Sequence, residues 1–281
     1  MSAPLPPGLY IVATPIGNLG DLSRRAEEIL KSAELIVVED SRVTGKLLNY
    51  IEKKGKMMVY NDHKGGRERD VILEAVRCKI VALVSDAGTP LISDPGYKLV
   101  RDAQEDGAYV TTIPGPSAAI AALTLSGLPC DRFLFEGFLP SKTKARKEAL
   151  EELCKLKATL IFYENGSRLG AMLADTRDIL GNRGGAVVRE ITKKFEEVVT
   201  GSLDELVNRY ADEKPKGEIV VIVGPPEEAA PADQSEIEAA LVAALERLPT
   251  SKAAGEVARK YGADRRQLYA LANQWKEDGR Q

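Results

Sequence analysis

The stretch Ser85 to Gly96, SDAGTPLISDPG, directly follows the apolar run Lys79 to Val84. Gly88 and Gly96 open backbone conformations closed to other residues, Pro90 and Pro95 fix φ and remove an N–H, and Asp86 and Asp94 leave two carboxylates at the rim. A loop of this composition at a strand end points to a ligand site, because function concentrates in loops held by a rigid scaffold. The alternative is an ordinary αβ connection with Asp94 capping the next helix. A second loop, TPIGNLGDLS from Thr14 to Ser23, has Gly17 and Gly20 where a nucleotide fold places close backbone approaches. It lacks both G-x-G-x-x-G and a P-loop lysine, which disfavours dinucleotide and ATP-phosphate chemistry and leaves a nucleoside without phosphates open.

Other chemistry-bearing groups lie outside these loops. The only histidine, His63 in NDHKGGRERD, titrates nearest neutrality and is a candidate general base; a solvated loop histidine is the plainer reading. With one histidine and three scattered cysteines, no metal site and no disulfide framework is expected. Lys142, Lys144, Arg146 and Lys147 in PSKTKARKEAL follow the aromatic run FLFEGF, and cations beside aromatics can hold phosphates and stack bases. Tyr163 and Glu164 in FYE, and the segment Arg189 to Glu197, set ionisable groups at further strand ends.

The elements that must position these residues alternate. From Gly8 to Pro114, short apolar runs (LYIVA, ELIVVE, MMVY, KIVALVS, AYVTTI) are separated by helix-like segments, which predicts a parallel sheet covered by helices, with ligands outside the carboxyl ends of its strands. A second alternating unit runs from Ser117 to Gly224. Pro225 to Gln234 has linker composition, and beyond it the apolar spacing of Ala253, Ala254, Val257 and Ala258, then Leu268, Leu271 and Ala272 around Gly262, resembles a helix-turn-helix. The predicted division is an α/β domain over residues 1–115, a second α/β domain over 116–225, and a linker with a helical tail over 226–281.

The 281 residues, 44% hydrophobic and 29% charged, suit a soluble globular protein, and the net charge of −3 neither requires nor excludes a nucleic-acid partner. No apolar stretch approaches the roughly 20 residues of a membrane span. MSAPLPPG has no basic region and no apolar signal core, so a cytoplasmic protein with reduced thiols is expected.

Taken in order, TPIGNLGDLSRRA, VVEDSR, ALVSDAGTPLISDPGYKLV, IPGPSAAIAAL, SGLPCDRFLFEGFLPSK, LIFYE and REITKKFEE resemble the landmarks of the tetrapyrrole methylase superfamily. Within it, they resemble the bacterial branch that methylates small-subunit ribosomal RNA. The resemblance implies two α/β domains with S-adenosylmethionine in the cleft between them, a homodimer, and methyl transfer to the ribose 2′-hydroxyl of a cytidine in the decoding region of 16S rRNA, within the small ribosomal subunit. Carried over by position, it implies cofactor contacts from Pro15, Ile16 and Gly17, from Asp86, Ala87, Gly88, Thr89, Pro90 and Leu91, from Ser117 and Ala118, and from Tyr163 and Glu164. RNA contacts are expected from Lys142, Lys144, Arg146, Lys147, Arg265 and Arg266.

Two departures stand out: the family often has a His-Asn pair where this chain has His63 and Lys64, and a Pro-His-Arg where it has Gly166, Ser167 and Arg168. A sulfonium methyl needs mainly alignment with its acceptor, but the hydroxyl must lose a proton; Glu39, Asp40, His63 and Lys193 are the candidates. A corrin or porphyrin-precursor C-methyltransferase on the same fold, and a cofactor-sensing RNA-binding module without turnover, are the alternatives.

Overall fold

A computed structural model describes residues 4–62, 66–226, 234–261 and 263–277. The first half contains β1 (Gly8–Val12), α1 (Arg24–Ser32), β2 (Leu35–Val38), α2 (Ser41–Tyr50), β3 (Met57–Val59), α3 (Gly66–Val76), β4 (Ile80–Leu83), α4 (Tyr97–Glu105) and β5 (Val110–Ile113). Its five strands run in the order β3-β2-β4-β1-β5, and every pair is parallel. All four residues of β2 are buried, as a strand covered on both faces requires. Alternate residues feed two cores: Tyr10, Val12 and Ile36 pack on one face, Leu9, Val37 and Leu83 on the other. β1 and β4 are neighbours, but the chain leaves β1 toward β2 on one side and β4 toward β5 on the other. Their carboxyl ends therefore open a crevice at the topological switch point.

The second half begins with α5 (Ala118–Leu125) and continues through β6 (Phe133–Phe138), α6 (Thr143–Leu153), β7 (Thr159–Asn165), α7 (Leu169–Leu180), β8 (Gly184–Arg189), β9 (Glu197–Ser202), α8 (Leu203–Arg209) and β10 (Glu218–Val223). The sheet order is β6-β7-β10-β8-β9, with β6 parallel to β7 and the other pairs antiparallel. One face packs on the α6, α7 and α8 side around Phe162, Leu169, Leu203 and Val221. The other packs on α5, and Ile16 from the first half joins that core beside Ala119, Ile161, Val188 and Val220. Burying an isoleucine contributes about 1.5–3 kcal/mol, so Ile16 ties the loop after β1 to the second sheet.

Arg146 is corrected by this packing. It is only 4% exposed, its guanidinium lies 2.6–2.7 Å from Asp175 on α7, and it also donates to the Ser141 carbonyl. A buried, paired guanidinium joins α6 to α7 and is withdrawn from any RNA surface. Lys147, half-buried, pairs with Asp175 and Asp178, whereas Lys142 and Lys144 are exposed.

A separate compact unit spans residues 227–281. In it α9 (Gln234–Leu245), α10 (Thr250–Tyr261) and α11 (Arg265–Glu277) share a core of Leu241, Ala244, Ala253, Ala254, Val257, Leu268 and Ala272. Lys252, Arg259, Lys260 and Arg265 line one groove of this unit beside Glu256, and Arg266 is exposed. Gly262 lies outside the described residues.

Candidate active site between the two α/β halves

The loops after β1 and β4 are fastened to each other before they meet anything else. Thr14 N–H donates to the Gly88 carbonyl at 2.8 Å and Gly88 N–H returns to the Thr14 carbonyl at 3.0 Å. Gly88 has φ +80°, and a Cβ there would lie 3.3 Å from Ile16 Cγ2. Glycine is thus favoured by the backbone conformation, and a side chain there would also crowd Ile16. The Thr89 hydroxyl donates to the Pro116 carbonyl at 3.0 Å, securing the loop to the segment that enters α5.

Between these loops and the second sheet lies a cavity of about 220 Å³. Of the residues the sequence points to, Ile16, Ala87, Gly88, Thr89, Ser117, Ala118, Tyr163 and Glu164 line it. Pro15, Gly17, Asp86, Pro90 and Leu91 are not part of its lining. Ile92, Ser93, Asp94, Phe138, Asn165 and Glu218 also line it, and of these the sequence points only to Asp94. Asp94 was visible as a rim carboxylate; Phe138 was legible only as part of an aromatic run.

Tyr163 and Glu164 separate because successive strand residues face opposite ways. Tyr163 packs on the cleft face with Phe135 and Phe138, ring centroids 4.9 and 5.6 Å away, and its hydroxyl faces the Ala119 N–H at the start of α5. The Glu164 side chain is fully buried, 3.2 Å from Arg168 Nε, and accepts from the Asn165 N–H. What Glu164 offers the cavity is therefore main chain. Burial pushes its carboxyl up, against the pull of Asn165 N–H, Arg168 and Arg146.

The proton-transfer candidates are also sorted. Asp40 caps α2 through the Arg42 N–H and forms a two-toothed pair with the Arg42 guanidinium, which holds its carboxyl down at about 2. So strongly acidic a carboxylate is a poor base, and it does not line the cavity. Lys193 Nζ lies 2.9 Å from Glu190 and 3.0 Å from Glu218; burial opposes its charge, but the two carboxylates raise its pKa and keep it an ammonium. It is a fixed cation and no base. Glu39 faces the Asp86 N–H while the Asp86 carboxylate accepts the Asp40 N–H at 3.1 Å, so these groups clamp the ends of β2 and β4 together. Burial, then Asp94 and Asp86, push Glu39 up. His63 and Lys64 lie outside the described residues.

Asp62, unremarked in the sequence, anchors the neighbouring loops. Its carboxylate accepts from Gly96 N–H at 2.9 Å and from the Tyr60 hydroxyl at 2.8 Å. At the second departure, a Cβ on Gly166 would run into the Pro215 carbonyl, so only glycine permits this approach; Ser167 is exposed, and Arg168 donates to the Leu139 carbonyl at 2.7 Å.

A model of the tetrapyrrole (corrin/porphyrin) methylases matches residues 8–207, and one of the RsmI C-terminal HTH domain matches residues 231–276. A ribosomal RNA small subunit methyltransferase I of Erythrobacter litoralis is 55% identical over 96% of this chain and 95% of its own. Its namesake from Escherichia coli O157:H7 is 43% identical over 94% of each. The chain belongs to the ribosomal RNA small subunit methyltransferase I family of the tetrapyrrole methylases. As such it is an enzyme, a methyltransferase whose methyl donor is S-adenosylmethionine. Among solved structures, a cobalt precorrin-4 methyltransferase (TM-score 0.58, 16% identity, 77% of this chain and 94% of that one) and a diphthine synthase (0.57, 14%, 77% and 89%) share its fold.

Proposed function

We propose that the protein transfers a methyl group from S-adenosylmethionine to the 2′-hydroxyl of a cytidine in the decoding region of 16S rRNA, acting in the cytoplasm on the small ribosomal subunit. The observation that carries the reading is the cavity at the β1–β4 switch point, walled by Gly88 and Thr89 from one half and by Tyr163 and Phe138 from the other. Such a wall suits a nucleoside cofactor. Ile92, Phe138 and Tyr163 offer apolar and aromatic surface to a purine, and the close backbone of Ala87, Gly88 and Thr89 offers polar main chain without bulk. Ile16, Ser117 and Ala118 close the remaining side. When bound, S-adenosylmethionine supplies an activated methyl on a positively charged sulfur.

The chain's own contribution is then alignment, exclusion of water and handling of one proton. Lys193, paired with Glu190 and with the cavity-lining Glu218, is a fixed cation available to an oxygen that is becoming anionic. For RNA, Lys142 and Lys144 on the second half and Lys252, Arg259, Lys260, Arg265 and Arg266 on the helical unit are exposed cations suited to phosphates. The apolar Ile120, Leu125 and Phe133, left exposed on consecutive elements, suit burial against a second copy in a homodimer.

Incubation with labelled S-adenosylmethionine and, separately, small subunits lacking the modification, free 16S rRNA and a precorrin tests this reading. Label in the RNA of the subunits is expected. Label in the precorrin alone would keep fold and cofactor but replace the substrate.

A further inference from the structure

We propose that Phe195 is a stacking surface for an RNA base next to the target cytidine, with Lys194 placed for the adjoining phosphate. The assignment rests on the methyltransfer reading above and names a residue that holds its substrate.

The loop between β8 and β9 is anchored beside the cavity. Ile191 is buried in the same core as Ile16, and the Lys193 ammonium lies 2.9 Å from Glu190 and 3.0 Å from Glu218, which lines the cavity. Around these anchors the backbone is left-handed at two residues that are not glycine, Glu190 at φ +52° and Thr192 at φ +66°. Such conformations cost free energy and persist where the surroundings over-determine them, commonly at functional sites. Here the Thr192 N–H donates to Glu196 Oε2 at 2.7 Å, the Lys193 N–H to the Glu190 carbonyl at 3.0 Å, and the Glu196 N–H to the Lys193 carbonyl at 3.1 Å. A loop so closely bonded nevertheless leaves Phe195 65% exposed. The fold gains little apolar burial from a ring in that position.

Charge selects the partner. Lys194 Nζ lies 5.7 Å from the centre of the Phe195 ring. The neighbouring carboxylates are engaged elsewhere: Glu190 with Lys193, Glu196 with the Thr192 N–H, and Glu197 with Arg189 and Arg209. The exposed Lys194 is therefore the cation of this loop that no carboxylate pairs among the described residues. A ring with a free cation beside it fits a nucleotide, the base on the ring and the phosphate at the ammonium. Tyr97, at the start of α4, is 63% exposed but lacks that combination, because Lys98 donates to the Asp62 carbonyl and Arg101 pairs with Asp102.

The reaction supplies the need for such a surface. A cytidine whose 2′-hydroxyl must enter a cleft has to leave its stack, and the adjacent base then loses a neighbour. A ring fixed on the enzyme replaces that neighbour.

The test measures single-turnover methyl transfer to small subunits, at saturating S-adenosylmethionine, for wild type, Phe195→Ala, Phe195→Leu, Phe195→Trp and Lys194→Ala. Phe195→Ala should raise the half-saturating subunit concentration about 5- to 150-fold, with the rate at saturation within about threefold of wild type and calorimetric cofactor affinity within about twofold. Leucine, apolar but without a ring, should lose as much as alanine, and tryptophan should restore binding. Lys194→Ala should reduce the slope of log affinity against log salt by about one. Wild-type half-saturation in Phe195→Ala, or full binding in Phe195→Leu, would overturn the assignment. So would a loss that accompanies a fall in oligomeric mass on size exclusion, which would make Phe195 a contact between copies of the chain. A wild-type protein that transfers nothing to RNA would instead overturn the functional reading beneath it.

Discussion

The alkyl chain of Lys193, on the second half of the molecule, lies directly over Gly17 in the loop after β1, where a Cβ would come within 2.5 Å of Lys193 Cγ and 2.6 Å of Cε. The same side chain ends between Glu190 and Glu218. One lysine therefore couples the spacing between the two halves to the position of a positive charge beside the cleft.

That coupling predicts non-additivity. Gly17→Ala should dislodge Lys193 and cost much of what Lys193→Ala costs, so the double variant should be milder than the sum by about 0.5–3 kcal/mol. Denaturant unfolding of the four proteins measures it; strict additivity would show that the contact carries no energy.

Gly88→Val should weaken S-adenosylmethionine binding at least about tenfold while the protein remains folded. The substitution adds a branched side chain at φ +80° and 3.3 Å from Ile16. Calorimetry on the purified variant decides, and unchanged affinity would remove this loop from the cofactor site.

Two neighbours on α6 should behave oppositely. Arg146→Ala should destabilise the protein by about 1–3 kcal/mol, because the buried Asp175 loses its guanidinium partner and keeps only Lys147, 3.4 Å away. It should leave the salt dependence of RNA binding unchanged in protein that remains folded. Lys144→Glu should leave stability within about 0.5 kcal/mol and reduce the slope of log affinity against log salt by about one. Filter binding over a salt series reads the second, thermal unfolding the first.

Asp94 also makes a prediction about stability. Its folded pKa lies above the unfolded value, with burial the largest cause, so the folded state binds more protons in the window between the two. The stabilisation this confers is fully present below the unfolded value and lost as pH rises through the folded one. Asparagine has no charge to bury, so Asp94→Asn should melt higher than wild type at neutral pH, with the difference shrinking toward about pH 3, below the ordinary aspartate value. A lower melting temperature at neutral pH would show that the carboxylate is a structural partner there.

Much of this was readable from the residues. Glycine and proline punctuate the loops after β1 and β4 because those loops bond to one another through Thr14 and Gly88, and local conformation leaves its mark in local sequence. Arg146 was misleading for the complementary reason: its partner Asp175 sits on another helix, and nothing near Arg146 in sequence distinguishes a buried guanidinium from its exposed neighbour Lys144. Tyr163 and Glu164 could have been separated by strand alternation alone, since Phe162 and Glu164 share the face turned away from the cleft. That Asp40 is a poor base depends on its pairing with Arg42, which a carboxylate's position in the sequence does not show.

The most direct measurement is alkaline hydrolysis of 16S rRNA from small subunits methylated with labelled S-adenosylmethionine. A 2′-O-methyl group removes the neighbouring hydroxyl that alkali needs to cleave the phosphodiester. The account predicts that the label is recovered in an alkali-stable dinucleotide whose 5′ residue is a cytidine methylated on its ribose. Label released entirely as mononucleotides would place the methyl on a base and contradict it.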